Sequence, residues 1–174
     1  MDKLSQGFPP LLGAAPRILL LGSMPSLLSL RHREYYANPR NAFWPLMGEL
    51  FGASPDLSYE RRVRRLTDAG IAVWDVVAAG ARSGSLDSAI EMSTVVVNNF
   101  ARLFAEQPTL ARVFFNGRKA EEIFRRRVMP ELQELRPDVR YACLPSTSPA
   151  LAALDFSGKL ERWQVVAEAH RELV

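Results

Sequence analysis

The sequence predicts an α/β protein: a three-layer sandwich whose central, mostly parallel four-stranded sheet is flanked by helices. Four short runs carry that prediction, at 17–22, 71–77, 112–116 and 139–144. Each is a continuous stretch of β-branched, leucine or aromatic residues, as expected of strands buried on both faces. Stretches of helical period lie between them, and strands alternating with helices specify a parallel sheet covered on both sides. With 174 residues, 48% of them hydrophobic, the chain suits one domain spanning 1–174.

Residues 1–16, which include three prolines, read as an extended arm leading into the first strand, Arg17-Ile-Leu-Leu-Leu-Gly22. A helix over 41–51 puts Trp44, Leu46, Met47 and Leu50 near one side. The next, 57–69, turns Val63 and Leu66 inward and its arginines outward, and stops at Gly70, a natural C-terminal cap. Strand 71–77 follows, then a helix over 98–106 and strand 112–116. A helix over 118–128 meets Pro130, which ends or kinks it, and 131–135 continues as another turn. After strand 139–144, Ser157 is a plausible N-cap for a last helix that buries Leu160, Trp163, Val166, Ala167 and Leu173.

Composition narrows the chemistry. One cysteine, Cys143, rules out an internal disulfide framework and a four-cysteine metal site. Two histidines far apart, His32 and His170, argue against a protein-built transition-metal site, and His170 reads as structural. The N-terminus has no charged-then-apolar leader, and no stretch approaches a membrane span, so a cytoplasmic home is the expectation. Net charge is +3, with arginine clustered at Arg31 and Arg33, at 61–65 and at 125–127. The last two clusters read as solvated helix faces. Arg31, Arg33 and Arg40 lie in a loop that deserves a phosphate-facing reading, because arginine forks match phosphate oxygens.

That loop, Gly22 to Trp44, is the most informative part of the chain. Ligands of open α/β sheets sit at the carboxyl ends of strands, and this loop leaves one. It carries Gly-Ser-Met-Pro-Ser, a basic patch, two tyrosines, Asn-Pro-Arg-Asn and Phe43-Trp44. The other predicted strands also end in unusual residues: Trp-Asp-Val, Asn-Gly-Arg-Lys and Leu-Pro-Ser-Thr-Ser-Pro. In a parallel sheet these four segments share one edge and can meet in one cleft. Ser23 lacks the Gly-x-Ser-x-Gly elbow of a hydrolase, and no glycine-rich phosphate loop is present.

Gly22-Ser-Met-Pro-Ser26 with Tyr35-Tyr-Ala-Asn-Pro-Arg-Asn-Ala-Phe-Trp44 resembles the first motif of the uracil-DNA glycosylase superfamily. Asn116-Gly117 resembles its base-reading asparagine, and Leu144-Pro-Ser-Thr-Ser-Pro149 resembles its second motif, the loop that presses on DNA. Taken with the Trp-Asp-Val segment, these motifs look most like the hypoxanthine-DNA (deoxyinosine) glycosylase branch, and they run collinearly from Arg17 to Trp163. The resemblance implies a uracil-DNA glycosylase-like fold and a monofunctional enzyme of base excision repair. Such an enzyme flips a deaminated base, hypoxanthine or else uracil or xanthine, out of DNA and hydrolyses its glycosidic bond. DNA containing a deaminated base is the implied partner; a metal, a cofactor and a membrane are not, and a monomer is expected. Two positions depart from the pattern. Met24 stands where relatives carry a water-positioning or acidic residue, and Leu151 stands where a polar residue is expected.

Breaking a base–deoxyribose bond requires a flipped base, a stabilised leaving group and a placed water. The resemblance implies Asn41 as the water-positioning residue, since Met24 cannot orient water; capping the helix that follows is the competing role. An amide positions rather than abstracts a proton. Asn116 suits edge reading, because an amide offers donor and acceptor; an N-cap before Gly117 is its alternative. Phe43 is the candidate stacking face and Tyr36 a wall, with Gly22, Ser23 and Met24 bordering the base, whereas Trp44 reads as core. Backbone N–H groups around Ser23 to Ser26 are candidates to meet the leaving group's charge. Ser26, Arg31, His32, Arg40, Lys119, Ser146, Thr147 and Ser148 are the candidate DNA contacts. Asp75 and Arg82 read as a structural pair near the cleft. A protein of the same fold that binds damaged DNA or a nucleobase without cleaving it is the alternative that Met24 keeps open.

Overall fold

The computed structural model describes residues 4–174. In chain order its main elements are β1 (Ser5–Gln6), β2 (Ile18–Gly22), α1 (Leu27–His32), α2 (Phe43–Phe51), α3 (Tyr59–Asp68), β3 (Ile71–Asp75) and β4 (Val77–Gly80). Then come β5 (Val96–Val97), α4 (Phe100–Glu106), β6 (Arg112–Asn116), α5 (Arg118–Arg127), α6 (Met129–Leu135), β7 (Arg140–Leu144) and α7 (Phe156–Leu173).

Four strands form a wholly parallel sheet in the order β3-β2-β6-β7. β2 lies inside it, Leu20 pairing with Val73 on one side and Phe114 on the other. With neighbours on both edges and helices on both faces, Ile18 to Leu21 are fully buried. That is why the strand shows no alternation of apolar and polar residues. One helix group joins α2, α3 and α7 through the Phe43–Trp163, Phe51–His170 and Trp44–Tyr59 ring contacts. The other contains α4, α5 and α6, with Phe100 against Phe124 and Phe124 against Phe115 of the sheet. His170 is bound to the Ala69 carbonyl at 2.8 Å, in keeping with a structural role.

Several expectations are corrected. The apolar run 71–77 is two strands rather than one. β3 stops at Asp75, and β4 enters a second, antiparallel sheet of order β1-β4-β5. Hydrophobicity continues across the break, so composition carries no sign of it. The backbone does: Val76 and Val77 N–H donate to the Gly22 and Ser23 carbonyls, and the Asn98 side chain donates to the Asp75 carbonyl at 2.7 Å. Residues 1–3 of the expected arm lie outside the described residues. The rest is tied down: β1 pairs with β4, Leu11 and Val73 exchange backbone hydrogen bonds, and the Trp74 indole donates to the Phe8 carbonyl. The loop after β2 contains α1, a short helix the sequence did not announce. Asp155, not Ser157, caps α7, accepting the Gly158 N–H at 2.8 Å.

Candidate active site

The carboxyl ends of the parallel strands open on a cavity of about 650 Å³. The loop from β2 lines it with Gly22 to Ser26, Tyr35, Tyr36, Arg40 and Asn41. β3 supplies Asp75, β6 supplies Asn116, and the loop after β7 supplies residues 146–151. A further segment, 85–88, closes one side. All four strand-end segments therefore border one space.

One wall is built on Asn116, the last residue of β6 and 6% exposed. Its Oδ1 accepts the Thr147 N–H at 2.9 Å, and its Nδ2 donates to Thr147 Oγ1 at 2.8 Å and to the Tyr36 hydroxyl at 3.2 Å. The cap of α5 is Gly117 instead, so Asn116 is not that helix's N-cap. Gly117 has φ +95°, and a Cβ there would lie 3.1 Å from the Ser146 Cβ, so the strand end and the 146–151 loop meet closely only over glycine. Thr147 is 1% exposed, and its carbonyl accepts the Ala42 N–H. With its amide, hydroxyl and carbonyl all bonded inward, Thr147 presents no group to a phosphate, which corrects its assignment as a DNA contact. Lys159, a buried cation that sequence reading passed over, donates to the Ser148 carbonyl at 3.2 Å and holds the loop from beneath. The Trp163 indole donates to the Pro145 carbonyl at 2.9 Å.

The opposite wall is acidic. Asp75 ends β3, is 4% exposed and lines the cavity, and its Oδ2 has no hydrogen-bond partner among the described residues. Burial first, and then the nearby Asp87 carboxylate, push its carboxyl up to about 7, against the pull of Arg82. Arg82 forms no ion pair with it among the described residues: its guanidinium donates to the Pro25 and Gly84 carbonyls. The expected Asp75–Arg82 pair is thus a pair at a distance, and Arg82 braces the Gly-Ser-Met-Pro-Ser turn. The Ser23 hydroxyl donates to Asp87. Gly22 is required here for space: an added Cβ would lie 2.5 Å from Asp75 Oδ1 and 2.8 Å from the Tyr36 hydroxyl. Met24 is 8% exposed and borders the cavity as an apolar surface.

Between the walls stands Tyr36. Its ring stacks on Phe43 with centroids 4.0 Å apart and planes 20° off parallel. Phe43 is fully buried, so in this conformation Tyr36, not Phe43, faces the cavity. Tyr36 has φ +53°, an uncommon left-handed conformation for a bulky residue. Burial, and then the Asp75 carboxylate, raise its phenol well above the usual range. Trp44 belongs to the core, as the sequence indicates: it is 3% exposed and its indole donates to the Tyr35 carbonyl at 2.8 Å.

Asn41 borders the cavity, and its Oδ1 accepts the Phe43 N–H at 2.9 Å. The amide thus steadies the start of α2 while standing in the cavity wall. Ser26 caps α1, accepting the Ser29 N–H at 3.1 Å. Ser146 and Ser148 accept the N–H groups of Ser148 and Ala150, and each hydroxyl keeps its own hydrogen to donate. Arg40 is exposed at the rim. Arg31 and His32 are exposed at the end of α1 outside the cavity lining, and Lys119 is turned toward Glu122, 3.4 Å away.

A parallel α/β sheet whose strand ends enclose an amide, a carboxyl and a stacked aromatic pair defines a pocket for a flat, polar-edged ligand. The sequence profile of the Uracil DNA glycosylase superfamily matches residues 9–169. The chain belongs to that superfamily. Its relatives include the hypoxanthine DNA glycosylase of Methanosarcina acetivorans, 42% identical over 120 residues, which are 68% of this chain and 75% of that protein. The hypoxanthine DNA glycosylase of Methanosarcina barkeri is 39% identical over 118 residues, 67% of this chain and 73% of that one. A solution NMR structure from Methanosarcina acetivorans, described as a candidate uracil DNA glycosylase, shares the fold. Its TM-score is 0.78 at 34% identity, over 97% of this chain and 99% of that one.

Proposed function

We propose that this protein is a monofunctional DNA glycosylase that excises deaminated bases, hypoxanthine foremost, acting as a single-domain monomer in the cytoplasm. The observation that carries this reading is the meeting of the Gly22–Asn41 loop, Asn116 and the 146–151 loop around one cavity. A flipped base enters there, with its polar edge toward Asn116 and its sugar toward the rim. The bond from C1′ to the base nitrogen breaks with its electron pair leaving on the base. A water oxygen then bonds C1′, and the water's proton passes to the departing base or to solvent.

Asn41 holds that water. One lone pair of its Oδ1 takes the Phe43 N–H, leaving the second lone pair and the amide hydrogens for water and sugar. Because an amide is a poor base, its contribution is placement. Backbone N–H groups of the Ser23–Ser26 turn receive the leaving group's charge. The base takes the space that Tyr36 fills, so the Tyr36 side chain turns away and Phe43 becomes the stacking face. Ser26, Ser146, Ser148 and Arg40 meet the phosphates nearest the pocket, and Arg31, His32 and Lys119 meet those further along the strand.

Single-turnover excision from duplex and single-stranded oligonucleotides carrying inosine, uracil or xanthine tests the reading. Abasic product is expected with inosine most rapidly. Retained binding without product from any of the three would turn the assignment to a damage-binding protein, with the apolar Met24 as its structural reason.

A further inference from the structure

The hydrogen-bonding capacity of Asn116 is nearly filled before any base arrives. Its oxygen holds the Thr147 N–H and one of its N–H bonds goes to Thr147 Oγ1. Only the N–H that reaches the Tyr36 hydroxyl can be released to a ligand. Asn116 can therefore give a base a donor and little else. A deaminated base presents a ring N–H beside a carbonyl, whereas adenine presents a bare ring nitrogen beside an amine. Recognising the deaminated edge needs an acceptor next to the donor.

Asp75 stands there. It is nine-tenths buried, faces the cavity, and carries an oxygen with no partner among the described residues. Its other oxygen and the Tyr36 hydroxyl converge on the same point above Gly22. The phenol, touched by Asn116 and adjoining Asp75, holds the place of a base edge. A buried polar atom with no partner is costly unless a ligand supplies one.

We propose that Asp75 is a specificity-determining residue: its unpartnered carboxyl oxygen accepts the ring N–H of the deaminated base while Asn116 donates to the adjacent carbonyl. The inference rests on the glycosylase reading above and adds the group that separates a deaminated purine from adenine. The groups facing Asp75 are Asp87 across the cavity wall, Arg82 behind it, and the phenols of Tyr35 and Tyr36. Both phenols are pushed far up by burial and stay neutral, so the carboxyl, held near 7, is the group that changes charge close to neutrality. Its ionised form is the accepting one. Excision of inosine should rise with pH through about 7.

Single-turnover kinetics on duplexes carrying inosine or 1-methylinosine, whose ring nitrogen has no hydrogen, provide the test. The wild type should prefer inosine by about 10- to 100-fold, the worth of a hydrogen bond to a charged group. Asp75→Leu should bring that preference close to one. Asp75→Asn, which keeps an acceptor oxygen, should retain part of the preference and lose the acidic limb of the pH profile. An undiminished preference in Asp75→Leu, or an unchanged acidic limb in Asp75→Asn, overturns the proposal. Should the leucine variant fail to fold by circular dichroism, the pH profile of the asparagine variant decides alone. A wild type that excises no deaminated base defeats the functional reading and this inference together. One that excises inosine with a preference unmoved by the substitutions defeats only the inference.

Discussion

The two polar walls of the cavity make an instructive contrast. Asn116 and Asp75 both end strands of the same parallel sheet, both are buried, and both border the same space. Asn116 has its oxygen and its amide hydrogens bonded to protein, chiefly to Thr147. Asp75 has one oxygen with no partner among the described residues and a like charge nearby. A satisfied group adds cohesion to the fold, whereas an unsatisfied one raises the energy of the empty state and is relieved by a ligand. The amide wall is thus architecture that also reads, and the acidic wall is kept at some cost to stability.

Substitutions can break this contrast or sharpen it. The largest effect should come from a residue in neither wall. Asn41→Ala should slow excision by at least about 100-fold, the usual penalty for losing placement, while affinity for inosine-containing DNA, measured by anisotropy, stays within a few-fold. Near-normal turnover would refute the water-holding role. Asn116→Leu comes next, because it strands the Thr147 N–H and hydroxyl. Denaturant titration should show a loss of about 2–4 kcal/mol, together with slower excision; unchanged stability would mean that the wall is not architectural.

Asp75→Asn should act oppositely on stability and depend on pH. The folded-state carboxyl, near 7, is raised above its ordinary value. Its contribution to stability is therefore complete below about pH 4 and is lost as pH rises through about 7. The asparagine variant should match the wild type near pH 4 and exceed it at pH 8 by on the order of 1–3 kcal/mol. Equal melting behaviour at both pH values would show that the carboxyl is relieved in some other way. The smallest effect is expected from Lys159→Met, which frees the Ser148 carbonyl but keeps the buried stem. A loss of about 1 kcal/mol and a few-fold rise in KM, with kcat little changed, would mark a loop-positioning role.

Most of the fold was legible because a strand buried on both faces is apolar throughout and the helices between strands keep their period. β2, β3, β6 and β7 fall within the predicted runs, and their parallel pairing follows from the helices that join them. The break at Val76 was not legible, since the apolar run passes straight through it. Nor was α1, whose sequence holds few strong helix formers and whose start depends on a capping bond from Ser26. Within the site, the sequence motifs named Asn41, Tyr36 and Asn116, and all three border the cavity. Thr147 was misread because its neighbours in sequence are serines at the surface, and nothing in a loop of small hydroxyl residues marks which one turns inward.

What the sequence determined by itself is the order of strands and helices, the clustering of unusual residues at strand ends, and membership of a superfamily through collinear motifs. These are local or one-dimensional properties, written in periodicity and spacing. The tertiary structure alone decided which polar groups are already satisfied. Asn116 is closed off by a threonine 31 positions away, the Tyr36 ring lies over Phe43, and Asp75 faces the cavity with an oxygen left over. Hydrogen-bond saturation and burial are sums over neighbours in space, and a residue's place in the chain does not reveal them.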